Sequence, residues 1–434
     1  MKRSQKQLST LAILIGMSFP TWATTFNQLL DMPSDSTQVV DCRPSNVYNG
    51  WADEANNAKG GHYPNASNIE PSWLQDMKQE QQDVLFAVNQ LDKQQPTYVY
   101  CDKAQQDKMV KLLKKAGFAK VEGLSQTINH YEGKLDSLAN YQDLVPVSWV
   151  KDLLDKKTVQ NPPKGDVKIV EVAWGPAVKY LVSHIPSALY LNTNDLESEP
   201  LWNKVSDEIL TKTISDLGIT KDSTVVLYGR DQLAASRAAN LLMYAGVEDV
   251  RLVNGGWQAW EAADYPTEAL KNTAEPVEFG AKIPVHPEYI TSMDKARKIL
   301  ADQENSSLVS VRTWAEYIGE TSGYDYIKPK GRITGSKWGH AGSDSYHLED
   351  YLNPDNTMAS EKIISHFLNE WNINGDQDVA FYCGTGWRAS EAFFYTHVMG
   401  WKNVSVFDGG WYEWSMDPKN PVETGDNVKK PTKG

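Results

Sequence analysis

The sequence predicts an α/β protein in which one β-α-β pattern occurs three times. In each copy an apolar strand leads into a loop, a helical segment that ends at a glycine, and a second apolar strand. The distance from the loop to the glycine is equal in the second and third copies and one residue shorter in the first. The three helix-ending glycines are Gly117, Gly246 and Gly400. Because the order recurs at regular spacing, we expect a tandem array of similar units.

The third copy has the most informative loop. Its first strand, Val379 to Tyr382, leads directly into the loop, and a helical segment from Ala389 to Met399 follows. The loop reads Cys383, Gly384, Thr385, Gly386, Trp387 and Arg388. A thiol beside a helix N-terminus and a guanidinium is favoured as the thiolate. The two glycines allow backbone N–H groups to turn inward around a group carried by the sulfur. We therefore expect Cys383 to be a nucleophile.

The other two copies have incomplete loops. In the second copy Gly229 stands where the third has Cys383, so this copy cannot carry sulfur on a thiol. In the first copy Cys101 occupies the matching position, but both glycines and the arginine are missing. Asp102 would also disfavour a thiolate there. We interpret Cys101 as a remnant of the fold, with a second nucleophile as the alternative.

Two further signatures recur in every copy. Strands that end in the first of these signatures span 39–43, 169–173 and 308–312, and the turns of the second follow at 61–66, 183–188 and 331–336. His62 and His184 lie in these turns and are predicted to make structural hydrogen bonds. Trp257 and Trp411 each follow a pair of glycines and are predicted to pack in the core.

The loop and these signatures resemble those of the rhodanese sulfurtransferases. One residue fewer separates Cys383 from Arg388 than in the loop of cysteine phosphatases, so the loop fits a single extra sulfur better than a phosphate. The resemblance implies three tandem rhodanese-like domains, each a doubly wound, mostly parallel sheet with helices on both faces. The expected boundaries are 24–145 for a degenerate first domain, 146–280 for a second domain without the active cysteine, and 281–434 for a catalytic third domain.

The resemblance also implies thiosulfate sulfurtransferase activity without a cofactor or a metal. Cys383 would take the outer sulfur of thiosulfate as a persulfide, release sulfite, and pass the sulfur to cyanide, a thiol or a protein acceptor. Arg388 would bind the anion and favour the thiolate. The backbone N–H groups of Gly384, Thr385, Gly386 and Trp387 would hold the terminal sulfur or the substrate oxygens.

Three alternatives remain open at this point. Gly384 and Thr385 occupy places where thiosulfate-type loops often carry basic residues, which favours 3-mercaptopyruvate as the donor, although such loops usually lack the arginine kept here as Arg388. The two incomplete copies are also compatible with a mainly non-catalytic sulfur-relay or interaction protein. Residues 384–389 match the Gly-x-Gly-x-x-Ala pattern of dinucleotide binding, but the bulky Trp387 would obstruct a pyrophosphate.

Three other residues have two interpretations each. Cys42 ends a strand of the first copy, and it either forms a disulfide with Cys101 or is an unrelated small buried residue. Arg312, at the matching strand end of the third copy, either braces the loop or forms a fold-stabilising ion pair, and we favour the ion pair. His340 either lines the mouth of the site or is a solvated loop residue, and we favour the solvated residue.

Composition and the N-terminal residues bear on location and partners. The 434 residues carry a formal net charge of −13, which argues against binding to nucleic acid or anionic membranes. A positive start, a short apolar stretch from Leu11 to Phe19 and small residues near Ala23 predict a signal peptide over residues 1–23. We therefore expect a periplasmic protein that does not bind a membrane after signal removal. The three cysteines do not have the spacing of a zinc site.

Overall fold

The computed structural model describes residues 24–33, 36–53 and 57–428. The predicted signal peptide, residues 1–23, lies outside these ranges. Within them the chain forms three main sheets, whose strands pair in parallel, and two small antiparallel pairs. The prediction of three mostly parallel α/β units is confirmed. Over the same ranges, every helix is too short or too polar to cross a bilayer.

The first unit contains a four-stranded sheet in the order β2-β1-β3-β4. Its strands are β1 (Gln38–Asp41), β2 (Ser67–Asn68), β3 (Thr97–Tyr100) and β4 (Val121–Gly123). Its helices are α1 (Phe26–Leu30), α2 (Ser45–Asn49), α3 (Pro71–Gln75), α4 (Gln79–Val88) and α5 (Lys103–Lys115). Val40 and Val99 of the strands pack with Met109 and Leu113 of α5 in the core of this unit.

The second unit contains a five-stranded sheet in the order β5-β11-β10-β6-β7. Its strands are β5 (Leu144–Val145), β6 (Val167–Ala173), β7 (Leu189–Asn192), the antiparallel pair β8 (Glu197–Ser198) and β9 (Asn203–Lys204), β10 (Thr224–Tyr228) and β11 (Asp249–Val253). Its helices are α6 (Val147–Leu154), α7 (Val178–Val182), α8 (Asp207–Asp216), α9 (Gln232–Ala245) and α10 (Gly256–Ala262). The central strand β10 is buried along its whole length, as expected for a parallel strand covered on both faces.

The third unit contains a five-stranded sheet in the order β12-β17-β16-β13-β15. Its strands are β12 (Ile290–Thr291), β13 (Ser306–Ser310), β14 (Arg332–Ile333), β15 (Lys337–Trp338), β16 (Asp378–Tyr382), β17 (Val404–Phe407) and β18 (Val422–Glu423). Its helices are α11 (Met293–Ala301), α12 (Trp314–Ile318), α13 (Glu361–Asn369), α14 (Trp387–Val398) and α15 (Gly410–Met416). Helix α14 therefore begins two residues before the predicted start, because Gly386 already occupies the N-cap position.

Helices α9 and α14 join the second and third units. Thirteen of the fourteen residues of α9 are buried, and all of these except Ser236, Arg237 and Asn240 are apolar. One hydrophobic cluster contains Val170 and Leu227 of the second sheet together with Phe381 and Phe393 of the third unit. The second and third units therefore share a continuous core, whereas the sheet of the first unit has its own.

The turns that carry the predicted structural histidines pack in the same way in two units. His62 stacks on Tyr48 with ring centroids 3.6 Å apart, and its Nδ1 lies 2.8 Å from the carbonyl oxygen of Tyr48. His184 stacks on Tyr180 with centroids 4.0 Å apart, and its Nδ1 lies 2.7 Å from the carbonyl oxygen of Tyr180. These contacts confirm the predicted structural role of both histidines.

Buried tryptophans and a disulfide complete the framework. Trp257 and Trp411 are buried in the cores of the second and third units, as predicted. Cys42 and Cys101 form a disulfide with a Cα–Cα distance of 5.3 Å, because they follow the adjacent parallel strands β1 and β3. Of the two interpretations of Cys42, the structure therefore shows the disulfide. Cys383 keeps a free thiol.

Candidate active site

The predicted loop lies between strand β16 and helix α14. Cys383 directly follows Tyr382, the last residue of the central strand β16, and Trp387 is the first residue of α14. The thiol therefore lies just ahead of a helix N-terminus, where the helix dipole favours negative charge. Cys383 is buried, with 1% of its surface exposed.

Helix α15 fixes the direction of the loop amides. The carbonyl oxygen of Cys383 accepts a hydrogen bond from the N–H of Trp411 at 2.9 Å, and that of Gly384 accepts one from the N–H of Tyr412 at 3.0 Å. In a trans peptide the N–H points away from the C=O of the same unit. The N–H groups of Gly384 and Thr385 therefore point away from α15, which is the orientation needed to surround a group on the sulfur.

Close contacts leave no room for a Cβ at the two loop glycines or at the glycine that begins α15. A Cβ on Gly384 would lie 2.1 Å from the ring of Tyr324, and one on Gly386 would lie 2.9 Å from Nη1 of Arg237. Gly410 has φ +55°, and a Cβ there would lie 2.6 Å from the carbonyl oxygen of Thr385. The glycines are thus required by close approach as well as by backbone direction.

Arg388 is held by a buried carboxylate. Its Nη1 and Nη2 each lie 2.9 Å from an oxygen of Glu316, and Nη2 also donates to the hydroxyl of Tyr324 at 3.1 Å. Burial opposes ionisation of Glu316, but Arg388 and Arg312 outweigh it and lower the pKa of this carboxyl to about 2. Nε of Arg388 is buried without a hydrogen-bond partner. Anion binding by Arg388 stays a prediction, because Glu316 holds both terminal nitrogens.

Arg312 lies in the same buried cluster. Its side chain is fully buried, lies 3.4 Å from Glu316, and donates to the carbonyl oxygen of Gly331 at 2.7 Å. Its guanidinium carbon lies 4.9 Å from the ring centroid of Trp411. The backbone N–H of Trp411 donates to the carbonyl oxygen of Cys383. Arg312 therefore forms the favoured ion pair and also packs beneath the residue that orients the loop.

His340 differs from both of its interpretations. Its ring stacks between Trp338 and Phe367, with centroid distances of 4.0 and 4.3 Å, and its side chain is only 13% exposed. Its nitrogens lie 3.7 Å from Asp350 and 3.6 Å from Glu370. The prediction of a solvated loop residue is wrong, because Trp338, two residues earlier, and Phe367 of α13 cover the two faces of the imidazole.

The second unit contributes directly to the site. Arg237 of α9 contacts Glu197 at 3.1 Å and Asp408 at 2.5 Å, and all three residues are buried. The indole N–H of Trp387 donates to Glu197 at 2.5 Å. The indole thus binds a carboxylate of the second unit, in addition to the backbone role predicted for Trp387. This ion-pair network ties the loop and the helix behind it to the neighbouring unit.

Replacing Arg237 with methionine is expected to destabilise the protein by about 3–5 kcal/mol. The substitution leaves the buried carboxylates of Glu197 and Asp408 without their shared cation. Urea unfolding measures the change, and Lys212→Met, which removes an exposed pair with Asp216, is the control with no measurable effect. A folded Arg237→Met protein as stable as that control would contradict the importance of this network.

A cleft of about 740 Å³ lies between the second and third units at this loop. Thr385, Trp387 and Arg388 contribute to its wall. Its aromatic lining includes Trp174, Trp202, Tyr324, Tyr326, Tyr346 and Tyr412, and its acidic lining consists of Glu197, Glu199 and Asp231. Burial is the main cause that raises the pKa of Tyr326 above its ordinary value. Among the described lining residues Arg388 is the one cation, and Glu316 neutralises it.

Glu391 is a buried carboxyl on the inner face of α14. Burial and the charge of Asp231 raise its pKa from 4.5 to about 8, and one of its oxygens has no hydrogen-bond partner. The folded protein therefore holds a proton that the unfolded chain releases above pH 4.5. This carboxyl lowers the free energy of unfolding progressively as pH rises from 4.5 to about 8.

We accordingly expect Glu391→Gln to stabilise the protein at pH 8, by roughly 1–3 kcal/mol relative to its effect at pH 5. The glutamine cannot ionise, so the pH-dependent loss disappears. Urea unfolding at both pH values checks this, with the exposed Glu261→Gln as the control. An equal effect of Glu391→Gln at pH 5 and pH 8 would mean that Glu391 titrates normally.

The sequence did not reveal several residues that shape the site. Glu316, Tyr324 and Arg237 come from segments far from the loop along the chain. Glu316 had a local signal, because it closes a capping box with Thr313 at the start of α12 and follows Arg312 by one helical turn. No comparable pattern marks Tyr324 or Arg237. Among the described residues no group of three or more His, Cys, Asp or Glu could hold a metal ion.

A parallel α/β unit with a cysteine-to-arginine loop ahead of a buried helix defines a rhodanese-type site. The Rhodanese-like domain family matches residues 25–133, 146–263 and 292–417, so the chain belongs to the rhodanese family of sulfurtransferases, with three copies of the domain. The finer boundaries after residues 145 and 280 stay predictions.

Similar proteins cover nearly the whole chain. Thiosulfate sulfurtransferase YnjE of Escherichia coli is 47% identical over 97% of this chain and 97% of its own length. The crystal structure of YnjE matches with a TM-score of 0.89 and covers 93% of this chain and 96% of that chain. An anaerobic ergothioneine biosynthesis enzyme from Chlorobium limicola, in complex with its natural substrate trimethyl histidine, matches with 35% identity and a TM-score of 0.86, covering 93% of this chain and 99% of that chain.

Proposed function

We propose that the protein is a thiosulfate sulfurtransferase. The Cys383 thiolate attacks the outer sulfur of thiosulfate, the S–S bond of thiosulfate breaks, and sulfite leaves with the bonding electrons. An acceptor nucleophile then attacks the outer sulfur of the persulfide and restores the thiolate. The observation that carries this proposal is the free thiol of Cys383 at the N-terminus of α14, with loop amides turned away from α15. The similarity to YnjE supports it.

Mass spectrometry of the Cys383 peptide tests the first half of this cycle. Thiosulfate treatment should add one sulfur atom to that peptide and release an equal amount of sulfite. The same assay with 3-mercaptopyruvate compares the alternative donor, since Arg388 is already neutralised by Glu316. If neither donor adds sulfur to Cys383, the enzyme proposal fails and an interaction or relay role replaces it.

The cleft favours a second candidate for the acceptor half. A volume of about 740 Å³ is large for cyanide, and the lining combines several aromatic rings with three carboxylates. Aromatic faces and carboxylates attract organic cations. The complex of the Chlorobium limicola relative with trimethyl histidine supports the same chemistry. We therefore propose a cationic small organic acceptor as the alternative to cyanide, a simple thiol or a protein.

Calorimetry with trimethyl histidine, and with histidine, which lacks the three N-methyl groups, tests this acceptor class. Trimethyl histidine should bind more tightly, and Tyr326→Leu should weaken it roughly 5- to 10-fold by removing one aromatic face. Equal binding of both compounds, or no binding, would contradict a cationic acceptor and leave cyanide, a simple thiol or a protein as the candidates.

We also propose that the protein is exported to the periplasm. N-terminal sequencing of the mature protein tests this, and a retained Met1 would contradict it.

A further inference from the structure

The first unit holds a disulfide where the third unit holds its reactive thiol. In the third unit Val311 and Cys383 follow the paired strands β13 and β16, and the N–H of Val311 donates to the carbonyl of Tyr382 at 2.9 Å. In the first unit Cys42 and Cys101 follow the paired strands β1 and β3, and Cys42 makes the same backbone hydrogen bond at 3.0 Å. Cys101 thus matches Cys383, and Cys42 matches Val311.

This disulfide lines a pocket of about 450 Å³ at the carboxyl edge of the sheet. The pocket is also lined by Glu70, Lys108 and Asn129, which offer charged and hydrogen-bonding groups. A disulfide that only links two strands needs no cavity beside its sulfurs. Cys42 and Cys101 retain 3% and 6% exposure, so the sulfurs are shielded from bulk solvent but border the cavity. The volume suits a small organic molecule.

The surroundings favour opening of the bond on the Cys101 side. Helix α5 has thirteen residues and begins two residues after Cys101, so its N-terminus stabilises a thiolate there. Asp102 caps this helix by accepting hydrogen bonds from the N–H groups of Ala104 and Gln105, and its negative charge opposes part of this stabilisation. Lys108 on the same helix adds a positive charge to the pocket wall.

A proton donor is present in the same pocket. Burial and the charge of Asp355 raise the pKa of Glu70 to about 7. Part of Glu70 is therefore protonated at neutral pH. The carboxyl also accepts a hydrogen bond from the N–H of Ser45 at 2.9 Å, which fixes its position at the pocket wall.

From this arrangement we infer that the first unit is a thiol–disulfide exchange site for small-molecule thiols. A thiolate entering the pocket attacks the sulfur of Cys42, the Cys42–Cys101 bond breaks, and Cys101 leaves as a thiolate that takes a proton from Glu70. A second thiolate attacks the bound molecule's sulfur, which forms a free disulfide and releases Cys42. Two thiols lose two electrons and the protein disulfide gains them. Exchange with another small-molecule disulfide reverses both steps.

The test uses the full chain with Cys383→Ser, so that the other thiol chemistry is removed and a failure of the proposed sulfur transfer has no bearing on the outcome. The protein is equilibrated with reduced and oxidised glutathione, quenched with a maleimide, and mapped by peptide mass. We expect reversible opening under native conditions and a glutathione adduct on Cys42. A disulfide that opens only in denaturant overturns the inference, and an adduct on Cys101 instead overturns the assigned direction of attack.

Two charge variants test whether the thiol reaches the disulfide through this pocket or whether any added negative charge on α5 slows the reaction. Lys108→Glu should slow opening by reduced glutathione at least about 5-fold, because it places a negative charge beside the incoming thiolate. Lys111→Glu, at an exposed position of the same helix outside the pocket, should change the rate little. The melting temperature of the oxidised protein should be similar in both. Equal rates for the two variants would mean that the thiol does not enter through this pocket.

Discussion

Replacing Cys383 with serine is expected to abolish sulfur transfer, with turnover reduced at least about 1,000-fold. A serine hydroxyl is not ionised near neutral pH and cannot carry a persulfide. The change replaces one sulfur atom with oxygen, and backbone hydrogen bonds from α15 still hold the loop, so folding should be preserved. Sulfite release from thiosulfate measures the activity, and circular dichroism measures the fold.

Alkylation provides the matching control. Iodoacetamide should inactivate the wild-type protein by modifying Cys383, because Cys42 and Cys101 are joined in a disulfide. The same reagent should leave the peptide map of Cys383→Ser unchanged. A serine variant that still transfers sulfur at the wild-type rate would remove Cys383 from the mechanism.

Replacing Glu316 with glutamine is expected to cost about 3–5 kcal/mol of stability and most of the activity. The carboxylate is 1% exposed and lies against both Arg388 and Arg312, so its loss leaves two buried guanidinium groups with no carboxylate between them. Arg388 is also the last residue of the loop that begins at Cys383. Urea unfolding and sulfite release measure the two effects, and the exposed Glu320→Gln is the control.

The pH dependence of this variant gives an independent check. The pKa of Glu316 is lowered from 4.5 to about 2, so its stabilising effect is complete above pH 4.5 and is lost as pH falls towards 2. The lowered pKa corresponds to about 3 kcal/mol. The stability difference between wild type and Glu316→Gln should therefore shrink in this acidic range. A constant difference would show that the charge of Glu316 is not the cause.

The repeated fold and the central loop could be predicted from the sequence because both are local patterns. A buried strand, a loop and a helix ending at Gly400 are adjacent along the chain, and all six loop residues are contiguous. Contacts across the fold could not be predicted in this way. The enclosure of His340 depends on Phe367, and the environment of Trp387 depends on Glu197 of the second unit.

The disulfide is an intermediate case. Strand ends that carry Cys42 and Cys101 were identifiable, but their separation depends on which strands are neighbours in the sheet. The order β2-β1-β3-β4 makes them adjacent, and the sequence alone could not establish that order. Likewise, the sequence placed Arg388 at the end of the loop but did not show that its charge is already balanced by Glu316.

The core shared through α9 and α14 sets how the chain can be divided. A fragment that contained only the third domain would expose the apolar face of α14 that α9 covers, and such a surface promotes aggregation. We therefore expect that the third domain does not fold by itself. The second and third domains should unfold together in one cooperative thermal transition. The sheet of the N-terminal domain has a core of its own, so we expect this domain to open first. It still contacts its neighbours, because Trp51 packs in the core of the second unit and Trp73 donates to Asp355 of the third at 3.0 Å.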